Sequence, residues 1–424
     1  MKKQISLLFL HCLRILAKIQ LTKIKLLCRI QYNSSLVIVG ITGSAGKTST
    51  LLATYAILKN HYKTTTNSGA NSETGIPLNI LGLKINSYSY INWLKIAFLA
   101  PVKLLTNWKT YQIYIVEMGV DAPYFPKNME YLLKIIKPQI SVLLNVSSVH
   151  LINFNSLDQI AQEKAKILKN AKYAILNLSD PLIKKYSQTN TKQANAQSAS
   201  GGIIPIKPIK ILLKKHPLPQ IYQISFGAAI AIAKILDIKK STAIKNIQKH
   251  FKLPPGRASI FKGIKNSTII DSSYNSSPLA CKESLKFLSQ FPSPKIAILG
   301  DMRELGKQTK KAHQDLYKLT LKHSDRIISI GPETTKYFGP KTKKFTYWWQ
   351  ATNFLHRHPE LVEGSTILIK GSQNTIFLEE LVKSLLKNKS DSSKLCRQSP
   401  YWLKFKTKFK QQNIPSLHNP TFSI

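Results

Sequence analysis

The chain has 424 residues, with 62 Lys and Arg against 20 Asp and Glu, for a formal net charge of +42 at pH 7. That length accommodates two or three domains, each with its own core. A charge of this sign raises nucleic acid and anionic membrane as partners. Only seven of the basic residues are Arg, and no helix-turn-helix, zinc-finger or aromatic-basic RNA motif is present. No specific nucleic-acid partner is therefore expected, and a general Lys bias, accompanied by many Ile and Asn, accounts for the charge. Cys12, Cys28, Cys281 and Cys396 have neither metal-ligand spacing nor a disulfide framework, which fits a reducing cytoplasm.

Residues 1–34 carry seven Lys and Arg and no acid. The apolar positions are interrupted by a basic residue every few places, so neither a bilayer-spanning run nor a secretory signal is expected here. The spacing predicts a basic amphipathic helix. It would either lie on the anionic inner face of a membrane or pack on the next domain with its Lys in water. The stretch "INWLKIAFLAPVKLLTNW" (91–108) poses the same choice, and Lys95, Pro101 and Lys103 again argue against spanning.

"LVIVGITGSAGKTSTLLATYAIL" (36–58) follows the first segment. A β-branched run enters a loop with Gly43 and Gly46, then Lys47 and Thr48 open a helical pattern. Such a loop turns successive backbone N–H groups and a helix amino end towards an anion. Lys47 would reach the β/γ-phosphates and the Thr48 hydroxyl would bind Mg²⁺. An ordinary glycine-rich strand-to-helix turn is the bland alternative. The usual Walker pattern would place its first Gly at position 41, which is Ile. Further strands are predicted at 112–118, 140–146, 173–178, 267–272, 295–300, 326–331 and 365–370, alternating with helices. That pattern predicts an α/β fold with mainly parallel sheets.

Acids are scarce enough for their positions to be informative. Glu73, Glu117, Asp271, Asp301 and Glu304 lie at strand ends or in Gly-containing turns, where ligands of open α/β sheets bind. Glu117 could complete a Mg²⁺ shell begun by Thr48. His150, which follows a strand through "SSVH", is either structural or at the same edge.

The run "GITGSAGKTST" resembles the Gly-x-x-Gly-Lys-Thr loop of the Mur ligases, a family with this shortened glycine spacing. "NSGANSETGIPLNIL", the block from "VEMGVDAP" to "NVSSVHLINFNSLDQIAQEKAKIL", "LPPGRASIFKG", "TIIDSSYNSSP", "AILGDMRELG" and "ILIKGSQNTIFLEELV" resemble its later motifs in order, from about 36 to 385. The order is similar to that of the branch adding D-Ala-D-Ala. The resemblance implies a cytoplasmic, monomeric, ATP-dependent amide ligase of cell-wall precursor synthesis. It would form an acyl phosphate on a muramoyl-peptide carboxylate and join it to an amino acid or dipeptide. A ligase acting on another poly-acid, such as folate-glutamate, and a membrane- or nucleic-acid-associated P-loop ATPase are the alternatives.

Carried over residue by residue, Gly43, Ser44, Ala45, Gly46, Lys47, Thr48 and Ser49 would hold ATP, and Thr48 and Glu117 a first Mg²⁺. His150 and a carbamylated Lys164 would hold a second, although Lys164 could equally be a solvated helix charge. Arg257 would reach the phosphates. Gln223, Asp271, Tyr274 and Asn275 would complete the ATP side, and Asn71, Glu73, Asp301 and Glu304 the substrate side. The implied domains are a central ATP-binding domain (35–251), a P-loop-type unit with a mainly parallel sheet, a hinge (252–257) and a smaller Rossmann-like domain (258–388). A basic tail (389–424) follows. Two departures stand out. Only 35 residues precede the loop's strand, where the family has a uridine-nucleotide-binding domain. "IYQISFGAAIAIAK" keeps Gln223 but has Phe226 where a second amide is expected at the adenine.

Overall fold

The computed structural model describes residues 2–67, 69–85, 89–149, 151–193, 202–213, 217–358, 360, 363–372 and 375–414. They form two compact units, one mainly of Met1–Pro254 and the other mainly of residues from Pro255 onward.

In the first unit the elements run α1 (Lys2–Tyr32), β1 (Val37–Thr42), α2 (Lys47–Leu58), β2 (Thr64–Thr66), α3 (Gly75–Leu81), α4 (Tyr90–Thr106) and β3 (Ile113–Glu117). They continue as α5 (Met129–Ile135), β4 (Ile140–Leu143), α6 (Leu157–Ala165), β5 (Tyr173–Leu176), α7 (Pro181–Gln193), β6 (Ile203–Pro205), α8 (Gln220–Ile235) and α9 (Lys240–His250). The sheet order is β2-β3-β1-β4-β5-β6, and every pairing is parallel. Val39 sits opposite both Ile115 and Ile140. Successive side chains of a strand face opposite ways, so a strand covered on both faces must be apolar throughout. That is why β1 reads as an unbroken β-branched run. Ile38 packs on one side with Ala17, Leu21 and Ile24 of α1, while Val39 and Ile41 pack on the other with α2 and α8. Of the two placements open to the N-terminal helix, its inner face takes the packed one.

The second unit contains β7 (Ser259–Lys262), β8 (Thr268–Ser272), α10 (Pro278–Leu288), β9 (Lys295–Gly300), α11 (Thr309–His323), β10 (Arg326–Ile330) and α12 (Pro332–Tyr337). β11 (Lys343–Phe345), α13 (Trp348–Arg357), β12 (Thr366–Lys370), α14 (Leu378–Leu385) and α15 (Pro400–Asn413) complete it. Its order is β11-β10-β9-β12-β8-β7, parallel except for the antiparallel β7–β8 pair. The α/β class and all eight expected strands are present, and β2, β6, β7 and β11 are additional.

Residues beyond 388, expected as a basic tail, are folded through Asn413. Phe377 packs against Trp402, Phe405 and Phe409 with ring centroids 6.5, 5.9 and 5.4 Å away. The buried Arg397 guanidinium grips Glu379 through two bonds of 2.8 and 2.7 Å and donates to the carbonyls of Ser273 and Tyr274. The Lys406 ammonium pairs with Glu379 and Glu380. Two cations of the basic tail are thus matched to acids on α14.

Candidate nucleotide and metal site

The loop between β1 and α2 has the conformation its glycines permit. Gly46 has φ +83° and forms the amino cap of α2, and Gly43 has φ +153°. A Cβ on Gly43 would lie 3.0 Å from the Leu144 Cβ, so a side chain there would be tight against that residue as well as strained in its backbone. The loop is fixed from β4. The Asn145 side chain accepts from the Ala45 N–H at 2.8 Å and donates to its carbonyl at 3.0 Å, while the Ser44 N–H donates to the Asn145 carbonyl. The Ser147 N–H donates to the Ser44 hydroxyl at 2.9 Å. Lys47 arches back so that its Nζ donates to the Gly43 carbonyl at 2.8 Å, spanning the concavity an anion would enter. Ser49 is buried.

Thr48 and Glu117 meet at the carboxyl ends of β1 and β3, a position where such sheets bind ligands. The Thr48 hydroxyl donates to Glu117 Oε2 at 2.8 Å, and the Asn71 amide donates to Oε1 at 2.9 Å. The buried Asn67 amide brackets the backbone of Glu117, accepting from its N–H and donating to its carbonyl. This oxygen pair suits Mg²⁺. Two neighbouring ligands of an octahedral ion with bonds of about 2.0–2.1 Å lie about 2.9 Å apart. Among the described residues no group of three or more His, Cys, Asp and Glu is placed to hold a metal. Mg²⁺ needs only one or two protein oxygens, its shell being filled by phosphate and water, and the Thr48 hydroxyl and Glu117 carboxylate offer two. His150 lies outside the described residues.

Lys164, on α6, is buried at 2 % exposure, so the solvated alternative does not apply. Burial pushes its amine down to about 7, the Lys47 ammonium adds to the effect, and Asp121 and Glu163 oppose it. The adjacent Glu163 serves elsewhere, accepting from the Met129 N–H at 2.7 Å and from Lys166 at 2.6 Å. Between about pH 7 and 10.5 the unfolded chain therefore binds a proton that the folded unmodified lysine does not, and stability rises with pH through that window. Glu73 is half-buried, and desolvation, with the charge of Asp121, raises its carboxyl above the usual range.

The other expected residues are distributed as follows. Gln223 lies on α8 and its carbonyl accepts the Ile209 N–H. Phe226 is buried edge-on against Phe251 at 5.2 Å, filling core in place of an amide. In the second unit the Arg257 guanidinium lies over the Tyr274 ring at 4.4 Å. Asp271 is fully buried. Its Oδ1 accepts the Ser273 N–H, Oδ2 has no hydrogen-bond partner among the described residues, and burial lifts its carboxyl to about 6. Asn275 offers its carbonyl to Lys370. Asp301 is turned inward, accepting from both the N–H and the hydroxyl of Thr334 on α12. Glu304 is exposed, at φ +63°. Sequence reasoning did not single out Asn67, Asn145, Asp121 or Arg397. Asn145 carried a signal, being the Asn five places before His150.

A phosphate-binding loop on a parallel sheet, with a hydroxyl–carboxylate pair at its end, defines a nucleotide-using α/β enzyme. The Mur ligase middle domain matches residues 41–203, and the Mur ligase, glutamate ligase domain matches residues 256–373. The chain belongs to the Mur ligase family and is an ATP-dependent ligase. It is 27 % identical to the UDP-N-acetylmuramoyl-tripeptide–D-alanyl-D-alanine ligase of Rickettsia prowazekii (strain Madrid E), over 82 % of this chain and 78 % of that one. The enzyme of the same name from Escherichia coli (strain K12) is 24 % identical, over 83 % and 77 %. Among solved structures, the MurF ligase of Thermotoga maritima in complex with ADP superposes with a TM-score of 0.66 at 21 % identity, covering 93 % of this chain and 84 % of that one. FolC of E. coli shares the fold at a TM-score of 0.58 and 16 % identity, over 84 % and 89 %.

Proposed function

We propose that the chain joins D-alanyl-D-alanine to the peptide carboxylate of a UDP-muramoyl tripeptide, converting ATP to ADP and phosphate. The observation that carries the ligase chemistry is the convergence of Lys47, the Thr48–Glu117 pair and a buried lysine with a depressed pKa. The relatives' names and the order of the motifs favour this acceptor and amine over the folate-glutamate reading. The peptide carboxylate attacks the γ-phosphorus of ATP and ADP leaves. The incoming amine then attacks the acyl phosphate, forming the amide and releasing phosphate. Negative charge is dense throughout, so the protein's part is positioning and electrostatic stabilisation.

In this reading Gly43–Ser49 cradle the phosphates and Lys47 follows the charge that develops at the β/γ bridge. Thr48 and Glu117 hold one Mg²⁺, which would neutralise phosphate charge. The Asn71 amide fixes the carboxylate's second oxygen. Lys164 as a carbamate, with His150, holds a second ion. Arg257, Gln223, Tyr274, Asn275 and Asp271 serve ATP, and Glu73, Asp301 and Glu304 serve the substrates, Asp301 acting through α12. The test is ADP release from purified protein offered UDP-muramoyl peptides, with and without D-Ala-D-Ala. Release should require the tripeptide and the dipeptide together. Release with a folate-glutamate acceptor alone would replace this reading.

The carbamate has its own consequence. It forms from the neutral amine and CO₂, and with a pKa of about 7 half of the amine is neutral at pH 7. At pH 6 only about a tenth is, so in CO₂-depleted buffer activity should drop about fivefold across that unit. Bicarbonate should restore it. Activity indifferent to bicarbonate at both pH values would remove the carbamate.

A further inference from the structure

Helix α4 buries Ile96 and Ala100 against Leu13 of α1 and Leu78 and Leu81 of α3. Phe9 and Trp93 close the contact edge-on at 5.3 Å. Its opposite side is apolar as well. Ile91, Leu94, Phe98, Val102 and Leu105 recur every three or four residues and so share one face. All are exposed, Phe98 at 74 % and Leu105 at 73 %. An outward apolar stripe of this length marks an interaction surface. Neighbouring α1 repeats the pattern, with Ile15, Ile19, Leu26 and Ile30 exposed beside Lys18, Lys25 and Arg29.

The charge carried by these two helices is of one sign. Glu73 is the sole acid among residues 1–116, while Lys95, Lys103 and Lys109 are exposed along and just beyond α4. Exposed aromatic rings mark its two ends, Tyr90 at the start and Trp108 just past the finish. The Lys23 ammonium stands over Trp108 at 3.8 Å. Trp108 also lines a cavity of about 630 Å³ bordered by Lys63, Lys84 and Lys109. No helix among the described residues is long and apolar enough to cross a membrane.

From this juxtaposition we infer that the outer faces of α4 and α1 form a docking surface for an anionic lipid bilayer, on which α4 lies in the plane of the interface. An apolar stripe with a cationic border and aromatic ends matches acyl chains beneath phosphate headgroups. A second copy of the chain would bring the same cationic border against itself and be repelled. The inference does not depend on the ligase reading.

Vesicle flotation of the full chain tests it, using phosphatidylcholine vesicles with and without phosphatidylglycerol, at low and high salt. The wild type should float with anionic vesicles and remain behind with neutral ones. Phe98→Asp/Leu105→Asp should weaken binding by about tenfold or more, because its side chains leave the apolar layer. Lys95→Glu/Lys103→Glu, which leaves the stripe intact, should weaken it as well, and both variants should melt as the wild type does. Four outcomes overturn the assignment. One is no flotation with anionic vesicles. Another is equal flotation with neutral ones, which removes the demand for anionic lipid. A third is undiminished binding in both variants, which reports overall charge alone. The last is wild-type self-association that the stripe variant abolishes without any lipid binding, which makes the face a protein interface.

Discussion

A Lys47→Ala enzyme loses ATP turnover by about 10²–10³-fold or more while its fold persists. The Nζ lies 2.8 Å from the Gly43 carbonyl, inside a loop whose backbone is held independently by Asn145, so shortening the side chain leaves the loop in place. What disappears is a charge-assisted donor to phosphate oxygens whose charge grows in the transition state, and losses of that size follow removal of one preorganised donor. A second effect follows from the same charge. The Lys47 ammonium helps depress the Lys164 amine, so without it that amine titrates higher and is less often neutral at pH 7. Single-turnover ADP formation measures the first effect, and the pH at which bicarbonate stimulates residual activity measures the second. Normal turnover would refute the phosphate assignment, and an unmoved bicarbonate profile would refute the coupling.

The second large effect is on stability. Arg397→Ala should destabilise the second unit by about 3–5 kcal/mol, the range for removing one partner of a buried pair. The Arg397 and Glu379 side chains are 4 % and 0 % exposed, so the carboxylate would lose its bidentate partner without gaining water and keep only the Lys406 ammonium at 3.4 Å. The Ser273 and Tyr274 carbonyls would lose their donor as well. Arg397→Lys keeps the charge but cannot reproduce the planar fork, so it should fall between the two. Urea unfolding monitored on the second unit resolves the series. A loss below about 1 kcal/mol for Arg397→Ala would mean that the pair is solvated and worth no more than a surface bridge.

The parallel strands were legible because burial on both faces writes long apolar runs into β1, β3, β4, β5 and β8–β10. The strands that were missed are short or lie at an edge. β2 is three threonines, β6 ends in Pro205 and β11 begins with two lysines. Thr48 and Glu117 could be paired from the sequence because one opens a readable helix and the other closes a readable strand, and the structure brings them together. The burial of Lys164 was not readable, since the charge that most perturbs it lies on α2, more than a hundred residues earlier. Arg397 was hidden for a related reason. Its partner acid lies on a separate helix and its carbonyl acceptors more than a hundred residues back, so locally it is one more cation among many.

The second sheet also dictates the order in which it can be assembled during synthesis. β8 runs into the Ser273–Asn275 turn, yet its parallel neighbour β12 is made almost a hundred residues later, and the Arg397 that ties the turn down comes later still. A nascent chain that has reached residue 350 owns β8 with β7 as its lone sheet neighbour. Such long-range pairing is slow to form and leaves apolar strand edges open meanwhile. Ribosomes stalled between β9 and α14 should therefore present a protease-sensitive second unit. Those that have released residues through 406 should present a resistant one, so resistance would arrive late and nearly all at once.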